Sequence, residues 1–550
     1  MLRIGLMVDS FVEDAWIGKI IADIRDSGFA DIVLVVENIP IPSRKPSRRE
    51  RLRRYWRQGL YNLYVRFDHS RYRPRHDAFA QVDLSPLLEG VARIRVEPLR
   101  KGFTDRFREE DLEVIKAAKL DVLFRFGFRI IRGPVLNTAR AGVWSFHHDD
   151  NLEYRGSPPS FWEIYERNPV SGSILQVLTD SLDGGRVLYR SHSATCLNSL
   201  QANRNPLYWK TAEFALRRLR QLDQHGMGFL EALPTWNENV PYTRGIYRAP
   251  KFGQMLYFIG GQIHRRVRSN LNRAISGNSP QWFVALRPRA LASFAETTGY
   301  RVIVPPRDRF YADPFLVDRD GKSFLFYENY SFAKERAHIS CSEVRPDASI
   351  TEPVTVLECP YHLSYPFIFD HDGETYMIPE SAANRTVDIY RAEQFPTKWT
   401  YHGILLADVN AVDATIHAAG GKLWMFVGVA ASHYPDCDEL CLYHADNVLG
   451  PWTPHPLNPI ISDVRRARPA GKLFFEDGKL IRPSQDCSQA YGYALNFSEV
   501  VRLNETEYEE RPIAKILPTW HKGNLGTHHF TRSNSFEAID GNIRVKTLSR

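Results

Sequence analysis

Two sets of residues in this chain have the types and spacing that proton-transfer chemistry needs. The first begins at Gly142-Val-Trp-Ser-Phe-His147, an apolar run that ends in an imidazole. Histidine titrates near neutrality and serves as general acid or base. Downstream lie Tyr154-Arg155-Gly156, Ser171-Gly172 and Leu182-Asp183-Gly184-Gly185. Asp183, on a Gly-rich turn, is placed to orient the His147 ring or take its proton. The run His147-His148-Asp149-Asp150 has metal-ligand types, but neighbours on one chain rarely converge on one ion, so no metal is expected. The second set recurs along the chain. It comprises Asp313 in Tyr311-Ala-Asp-Pro-Phe315, Tyr365 in Ser364-Tyr-Pro-Phe367 and Asp413 in Val412-Asp-Ala-Thr415. Arg468 in Ala467-Arg-Pro469 and His528 in Thr527-His-His529 complete it. Glu328, Glu380 and Asp486 close the strands that follow and extend the set of channel candidates.

The elements that must position the first set read as α/β. Arg3–Val8 and Asp31–Val36 are short apolar runs separated by a helical stretch near Trp16–Ser27. Glu109–Lys119 then reads as a helix and Asp121–Phe126 as a strand. Strand, helix, strand at this spacing predicts a parallel, Rossmann-like sheet. The strand ending near Phe146 delivers His147 to the carboxyl edge, where open parallel sheets bind ligands. Residues 206–225 and 254–275 predict two amphipathic helices. The apolar patch Met255–Ile263 is read as an interdomain contact rather than a membrane anchor.

The second set is embedded in a β-rich rhythm. Five Gly-centred turns lead into apolar strands at 318–328, 370–380, 418–428, 475–485 and 538–548. Asp-Gly before alternating apolar residues predicts a hairpin. Five such hairpins at near-regular spacing predict a repeat architecture, a five-bladed β-propeller. In such a fold the innermost strand of each blade lines a central channel. The domains expected are 1–200 (α/β), 201–280 (a helical connector) and 281–550 (the propeller).

Hydrophobic residues at 43% and charged residues at 25% exclude a disordered or fibrous chain. The net charge of +7 divides unevenly: residues 1–280 carry 43 basic and 30 acidic groups, residues 281–550 carry 28 and 34. The first part is thus suited to anions and the second is acidic. Residues 44–57, with eight basic groups and one acidic, read as an inserted surface segment. No nucleic-acid motif accompanies them, so no nucleic-acid partner is expected. Six scattered cysteines predict reduced thiols, and with no transmembrane run and no signal core the expected location is cytoplasmic.

The block 120–190, with His147, Tyr154-Arg155-Gly156, Ser171-Gly172 and Leu182-Asp183-Gly184-Gly185, resembles the amino-terminal domain of formyltransferases that use 10-formyltetrahydrofolate. That resemblance implies a folate cofactor and an amino group of a sugar or sugar nucleotide as acceptor. It implies that His147 and Asp183 manage protons, that Ser145 stands where the family has its oxyanion-binding asparagine, and that Tyr154, Arg155 and Gly156 contact substrate. Losing one oxyanion donor typically costs about 100- to 1,000-fold in turnover. The phrase Tyr-Ala-Asp-Pro-Phe before its hairpin resembles five-bladed propellers of glycoside hydrolase family 43. Residues 281–550 also resemble the amino-terminal propeller of plant glucosamine inositolphosphorylceramide transferases. These resemblances imply a glycan-binding or glycan-processing propeller in which Asp313 is the base, Asp413 tunes pKa values and Glu380 is the acid. Formyl transfer to an amino sugar leads. Glycoside hydrolysis or glycosyl transfer centred on the propeller, with an inactive first domain, is the alternative. Non-enzymatic glycan binding is the third reading.

Overall fold

The computed structural model describes residues 1–39, 47–180, 184–233, 242–276, 278–289, 293–430 and 437–546. The chain divides into two units, 1–191 with 195–266, and 192–194 with 267–550. In the first unit the elements run β1 (Leu2–Val8), α1 (Ala15–Asp26), β2 (Ala30–Asn38), α2 (Arg48–Arg71), β3 (Ala92–Val96), α3 (Glu109–Ala117), β4 (Val122–Arg125), β5 (Val143–His147), α4 (Phe161–Glu166), β6 (Val170–Val177), β7 (Arg186–Ala194), α5 (Leu200–His225) and α6 (Phe252–Ser276). One seven-stranded sheet has the order β7-β6-β5-β4-β1-β2-β3. The five strands from β5 to β3 are parallel, as the apolar runs predict, and β6 joins antiparallel, which makes the sheet mixed.

Both faces of that sheet are covered, which is why β1 reads as a nearly unbroken apolar run. On one face Trp16, Ile20 and Ile24 of α1 meet Ile4, Leu6 and Phe124. On the other, Leu112 and Ile115 of α3 meet Met7, Val36 and Leu123. The connector expected over 201–280 is not a separate body. Tyr208, Phe214 and Leu219 of α5 belong to the same core as α1, and the first unit extends to Arg266. The basic segment 44–57 is, from Arg48 on, the start of α2; residues 44–46 lie outside the described residues.

The second unit holds five antiparallel sheets. Its strands are β8 (Asn278–Pro288), β9 (Arg301–Ile303), β10 (Arg309–Arg319), β11 (Lys322–Ser331), β12 (Arg336–Val344), β13 (Val354–Leu357), β14 (Ser364–His371), β15 (Glu374–Glu380), β16 (Thr386–Gln394), β17 (Lys398–Ala407), β18 (Ala411–Ala419), β19 (Lys422–Val429), β20 (Glu439–Ala445), β21 (Thr453–Pro454), β22 (Phe474–Glu476), β23 (Lys479–Asp486), β24 (Ala494–Leu503), β25 (Tyr508–Ile516), β26 (Phe530–Arg532) and β27 (Phe536–Lys546). Four sheets follow chain order: β10 to β13, β14 to β17, β18 to β21 and β22 to β25. The fifth, β9-β8-β27-β26, combines strands from both ends of the unit.

Four of the five predicted hairpins are present. Asp320-Gly321, Asp372-Gly373, Gly420-Gly421 and Asp477-Gly478 each have two successive positive φ angles, the geometry of a tight hairpin turn. The fifth is a correction. Asp540-Gly541 makes no turn but runs through the interior of β27, which pairs with β8 from Asn278↔Lys546 to Pro288↔Phe536. Gly541 is small for a different reason: a Cβ there would lie 2.4 Å from the ring of Phe283.

Candidate functional site

In the first unit, β5 carries His147 to its carboxyl end, as expected. The ring is held by its own loop: Nε2 lies 3.0 Å from the Tyr154 carbonyl and 4.0 Å from Asp149 Oδ2. Ser145 is buried, accepts a hydrogen bond from Arg125 Nε at 3.0 Å and turns its hydroxyl to the Phe146 carbonyl at 3.5 Å. The hydroxyl that the resemblance would make an oxyanion donor is thus in contact with Arg125 and Phe146 inside the sheet. Tyr154, Arg155 and Gly156, expected to contact substrate, instead fasten the segment around Tyr247. Tyr154 donates its hydroxyl to Glu166, Arg155 Nε donates to the Asn151 carbonyl, and a Cβ on Gly156 would sit 2.1 Å from the Tyr247 carbonyl. Asp183 lies outside the described residues.

The run after His147 disperses. His148 stacks on Tyr208 with ring centroids 3.5 Å apart, and burial pushes its imidazole pKa well below the usual value. Asp150 pairs with Arg190. Asp149 is buried and accepts from Ser160 N at 2.7 Å. Burial, with the charge of Glu163 adding, drives Asp149 well above the usual carboxylate range, and burial raises Glu163 to about 7 although the neighbouring Asp149 carboxyl pulls it down. This carboxyl pair was not legible in the sequence, since Glu163 comes from α4.

In the second unit the recurrent residues do converge. Asp313, Tyr365 and Asp413 each have a positive φ (50°, 45° and 56°) and each sits at an irregularity in strand pairing, within β10, β14 and β18. The same bulge repeated in three sheets re-aims one side chain per strand. Asp313 Oδ2 accepts from Tyr365 N at 3.2 Å, and its Oδ1 lies 3.5 Å from His528 Nε2 and 3.6 Å from His529 Nδ1. Arg468 Nε donates to Asp413 Oδ2 at 2.7 Å. Asp540, in the strand misread as a turn, accepts from the backbone N–H of both His528 and His529 and lies 2.5 Å from His528 Nδ1. Asp486 does not join: its carboxylate pairs with Lys515 and caps Ser488 N.

Above this buried layer opens a cavity of about 320 Å³, walled by Glu328, Glu380, Tyr330, Tyr491, Trp282 and Arg468, among others. Trp282 stacks on His528 with centroids 4.1 Å apart. Asp313 and Asp413 are not on the wall; they lie behind it, only 4% and 2% exposed. Glu380 accepts from Ser364 Oγ at 3.0 Å and from Ala382 N at 2.6 Å. Glu328 lies 3.3 Å from His362 Nε2.

The protonation states are driven apart. Burial alone would raise Asp313, but the His528 and His529 charges hold it down to about 2. Burial pushes Glu328 well above the usual range, and the nearby Asp313, Glu380 and Asp413 push the same way. Burial raises Asp413 to about 7 against the pull of Arg468. Burial disfavours charge on His528, yet Asp540 and Asp313 raise it to about 9. Carboxyl groups separated this way are a signature of acid–base sites. Asp313, His528 and Asp540 also offer ligand atoms within 4.8 Å of one another, the geometry a cation needs, with the His528 proton as its competitor.

These shifts fix the pH response of the second unit. His528, raised from 6.5 to about 9, contributes fully below 6.5 and loses its contribution as pH climbs through 9. Asp413, an acid raised from 3.8 to about 7, likewise loses its contribution as pH rises through 7. Asp313, lowered from 3.8 to about 2, loses its contribution only as pH falls toward 2. Thermal melts followed by tryptophan emission are expected to be highest near pH 4 and to fall steadily from there to about pH 9. A melting temperature that is flat or rising above pH 7 contradicts the charge assignment.

A family model, glucosamine inositolphosphorylceramide transferase 1, N-terminal, matches residues 291–538. The glucosamine inositolphosphorylceramide transferase 1 of Oryza sativa subsp. japonica is 32% identical over 252 residues, covering 45% of this chain and 33% of the relative. The chain thus spans about a third of the length of the curated relatives it matches there. A methionyl-tRNA formyltransferase from Parabacteroides distasonis is 27% identical over 84 residues, 15% of this chain and 26% of its own. Among solved structures, a family 117 glycoside hydrolase from Zobellia galactanivorans aligns at 15% identity with a TM-score of 0.33, covering 49% of this chain and 93% of its own.

Proposed function

We propose that the second unit is a five-bladed propeller whose central cavity takes an amino sugar of a glycan or glycolipid and performs glycosyl-transfer chemistry on it. The observation that carries this reading is a cavity with Glu328 and Glu380 on its wall and Asp313 buried nearby, where burial and carboxylate neighbours raise Glu328 while His528 and His529 hold Asp313 down. In this reading Glu328 protonates the departing glycosidic oxygen, and Glu380 is its carboxylate counterpart in the cavity. Asp313 and Asp413, behind the wall, keep Glu328 protonated rather than touch the sugar. This reassigns the acid from Glu380 to Glu328. Tyr330, Tyr491 and Trp282 supply the apolar faces against which a sugar ring packs.

The sugar class follows from charge. With Glu328 protonated, Asp313, Asp413, Asp540 and Glu380 are the acidic groups around the site, against Arg468 and His528. Burial lowers the pKa of His362, keeping it neutral, so it adds no cation. An ammonium group relieves that excess and gains from the aromatic walls. The match to proteins named glucosamine inositolphosphorylceramide transferases supports the same class. Calorimetric titration is expected to show glucosamine binding at least about tenfold tighter than glucose or N-acetylglucosamine, a difference of roughly 1.4 kcal/mol. Equal affinity for amine and neutral sugar sinks this reading.

Formyl transfer is the second reading, favoured by the parallel sheet that brings His147 to its carboxyl edge beside Asp149. The engaged hydroxyl of Ser145 stands against it. Incubation with 10-formyltetrahydrofolate and amino-sugar nucleotides, with mass detection of a formylated product, decides it.

A further inference from the structure

Helix α6 has apolar residues on two faces, and only one of them is covered. Met255 and Phe258 turn inward and pack with Tyr64, Phe161 and Trp162. Leu256, Tyr257 and Ile263 stay outside, 54%, 61% and 58% exposed. On α2, Leu63 and Phe67 are likewise exposed, at 64% and 55%. Between the two helices Leu60, Leu63, Phe67, Ile259 and Ile263 line an apolar groove of about 450 Å³. Large apolar side chains grouped in this way mark an interaction surface.

The charges beside this groove decide what covers it. The sequence of α2 contains eight arginines and two acidic residues, Glu50 and Asp68; that of α6 contains four arginines and no acidic residue. Asp68 is on the groove wall, but it is buried and its carboxylate is engaged, accepting from Ser199 Oγ at 2.9 Å and from Gln201 N at 2.7 Å. Arg266 is exposed on the groove wall, and Arg66, which precedes the lining residue Phe67, is exposed on α2. No helix of the described residues is long and apolar enough to cross a membrane. Exposed apolar side chains on helices of arginine-rich sequence, without a spanning segment, are the composition of helices that lie in a bilayer interface.

We propose that α2 and α6 form a face that docks on an anionic phospholipid surface, the apolar groove entering the headgroup boundary and the arginines meeting lipid phosphates and carboxylates. The patch at Met255–Ile263 is then divided in role, its inner residues structural and its outer residues interfacial. This inference does not depend on the sugar site.

The test is flotation of the full chain with vesicles of phosphatidylcholine alone or mixed with phosphatidylserine. Binding is expected only to the mixed vesicles, weakening as salt rises from about 0.05 to 0.5 M. The pair Leu63→Ser and Ile263→Ser is expected to cut partitioning at least about tenfold, with far-ultraviolet dichroism unchanged. The pair Arg66→Gln and Arg266→Gln, which removes no apolar group, is expected to cut it too and covers the case of a misfolded apolar variant. Failure to float with the mixed vesicles overturns the proposal, as does flotation indifferent to both pairs. So does a self-association in sedimentation velocity that the Leu63/Ile263 pair dissolves, since a second copy then occupies the groove.

Discussion

Arg468→Leu is expected to destabilise the second unit by about 3–5 kcal/mol, the cost of leaving one member of a buried ion pair without the other. The guanidinium and the Asp413 carboxylate are 8% and 3% exposed and meet at 2.7 Å, so water does not replace the lost partner. The cost has a direction in pH. Asp413 already stands at about 7 with Arg468 present. Without it the folded-state pKa rises further, and the carboxyl takes up a proton instead of remaining charged. The loss is therefore smallest near pH 5 and grows as pH passes 7. Denaturant melts at both pH values measure it. The double change Arg468→Leu with Asp413→Leu is expected to recover most of the loss, because replacing a whole buried pair by apolar groups is close to neutral. A single variant as stable as the parent at pH 8 removes Arg468 from the centre of this network.

Glu328→Gln is expected to lower turnover of a glycosidic substrate by roughly 100- to 10,000-fold, the contribution of a positioned general acid. Glutamine is the apt replacement, since burial and four neighbouring carboxylates already push Glu328 toward its uncharged form. The fold and the sugar affinity are accordingly expected to survive. Substrates whose leaving group departs without a proton, such as nitrophenyl glycosides, should lose far less. The measurement is kcat for poor and good leaving groups in parent and variant. An equal loss for both assigns Glu328 to binding; no loss for either removes it from the chemistry.

Much of this site was legible in the sequence because its positioning device is local. Asp313, Tyr365 and Asp413 occupy matching places in successive repeats, and the bulge that re-aims each one is set by a few adjacent residues. The turns at Asp320-Gly321 and Asp477-Gly478 were readable for the same reason. Asp540-Gly541 is the same dipeptide with the opposite outcome, because packing of Phe283 on Gly541 overrides the local turn preference. Missing that strand also hid Asp540, which fixes the charge of His528. In the first unit the place of His147 followed from the parallel-sheet pattern, whereas the Arg125 hydrogen bond that occupies Ser145 joins residues 20 positions apart on neighbouring strands. The Asp149–Glu163 pair likewise exists only once α4 has docked. Contacts of this range leave no periodicity to read.

The sheet that joins β8 to β27 has a consequence for how the protein comes to exist. Arg287 and Glu537, 250 positions apart, form a buried pair across it, and Arg532 secures the same carboxylate. During synthesis β8 emerges early and waits, one edge unpaired, until β27 leaves the ribosome. Asp540 arrives on that strand, so the carboxylate that raises His528 and adds to the charge around Glu328 is in place only at closure. Pairing over so long a loop is slow and exposes strand edges meanwhile. A second unit that has not closed thus also lacks Asp540 beside His528.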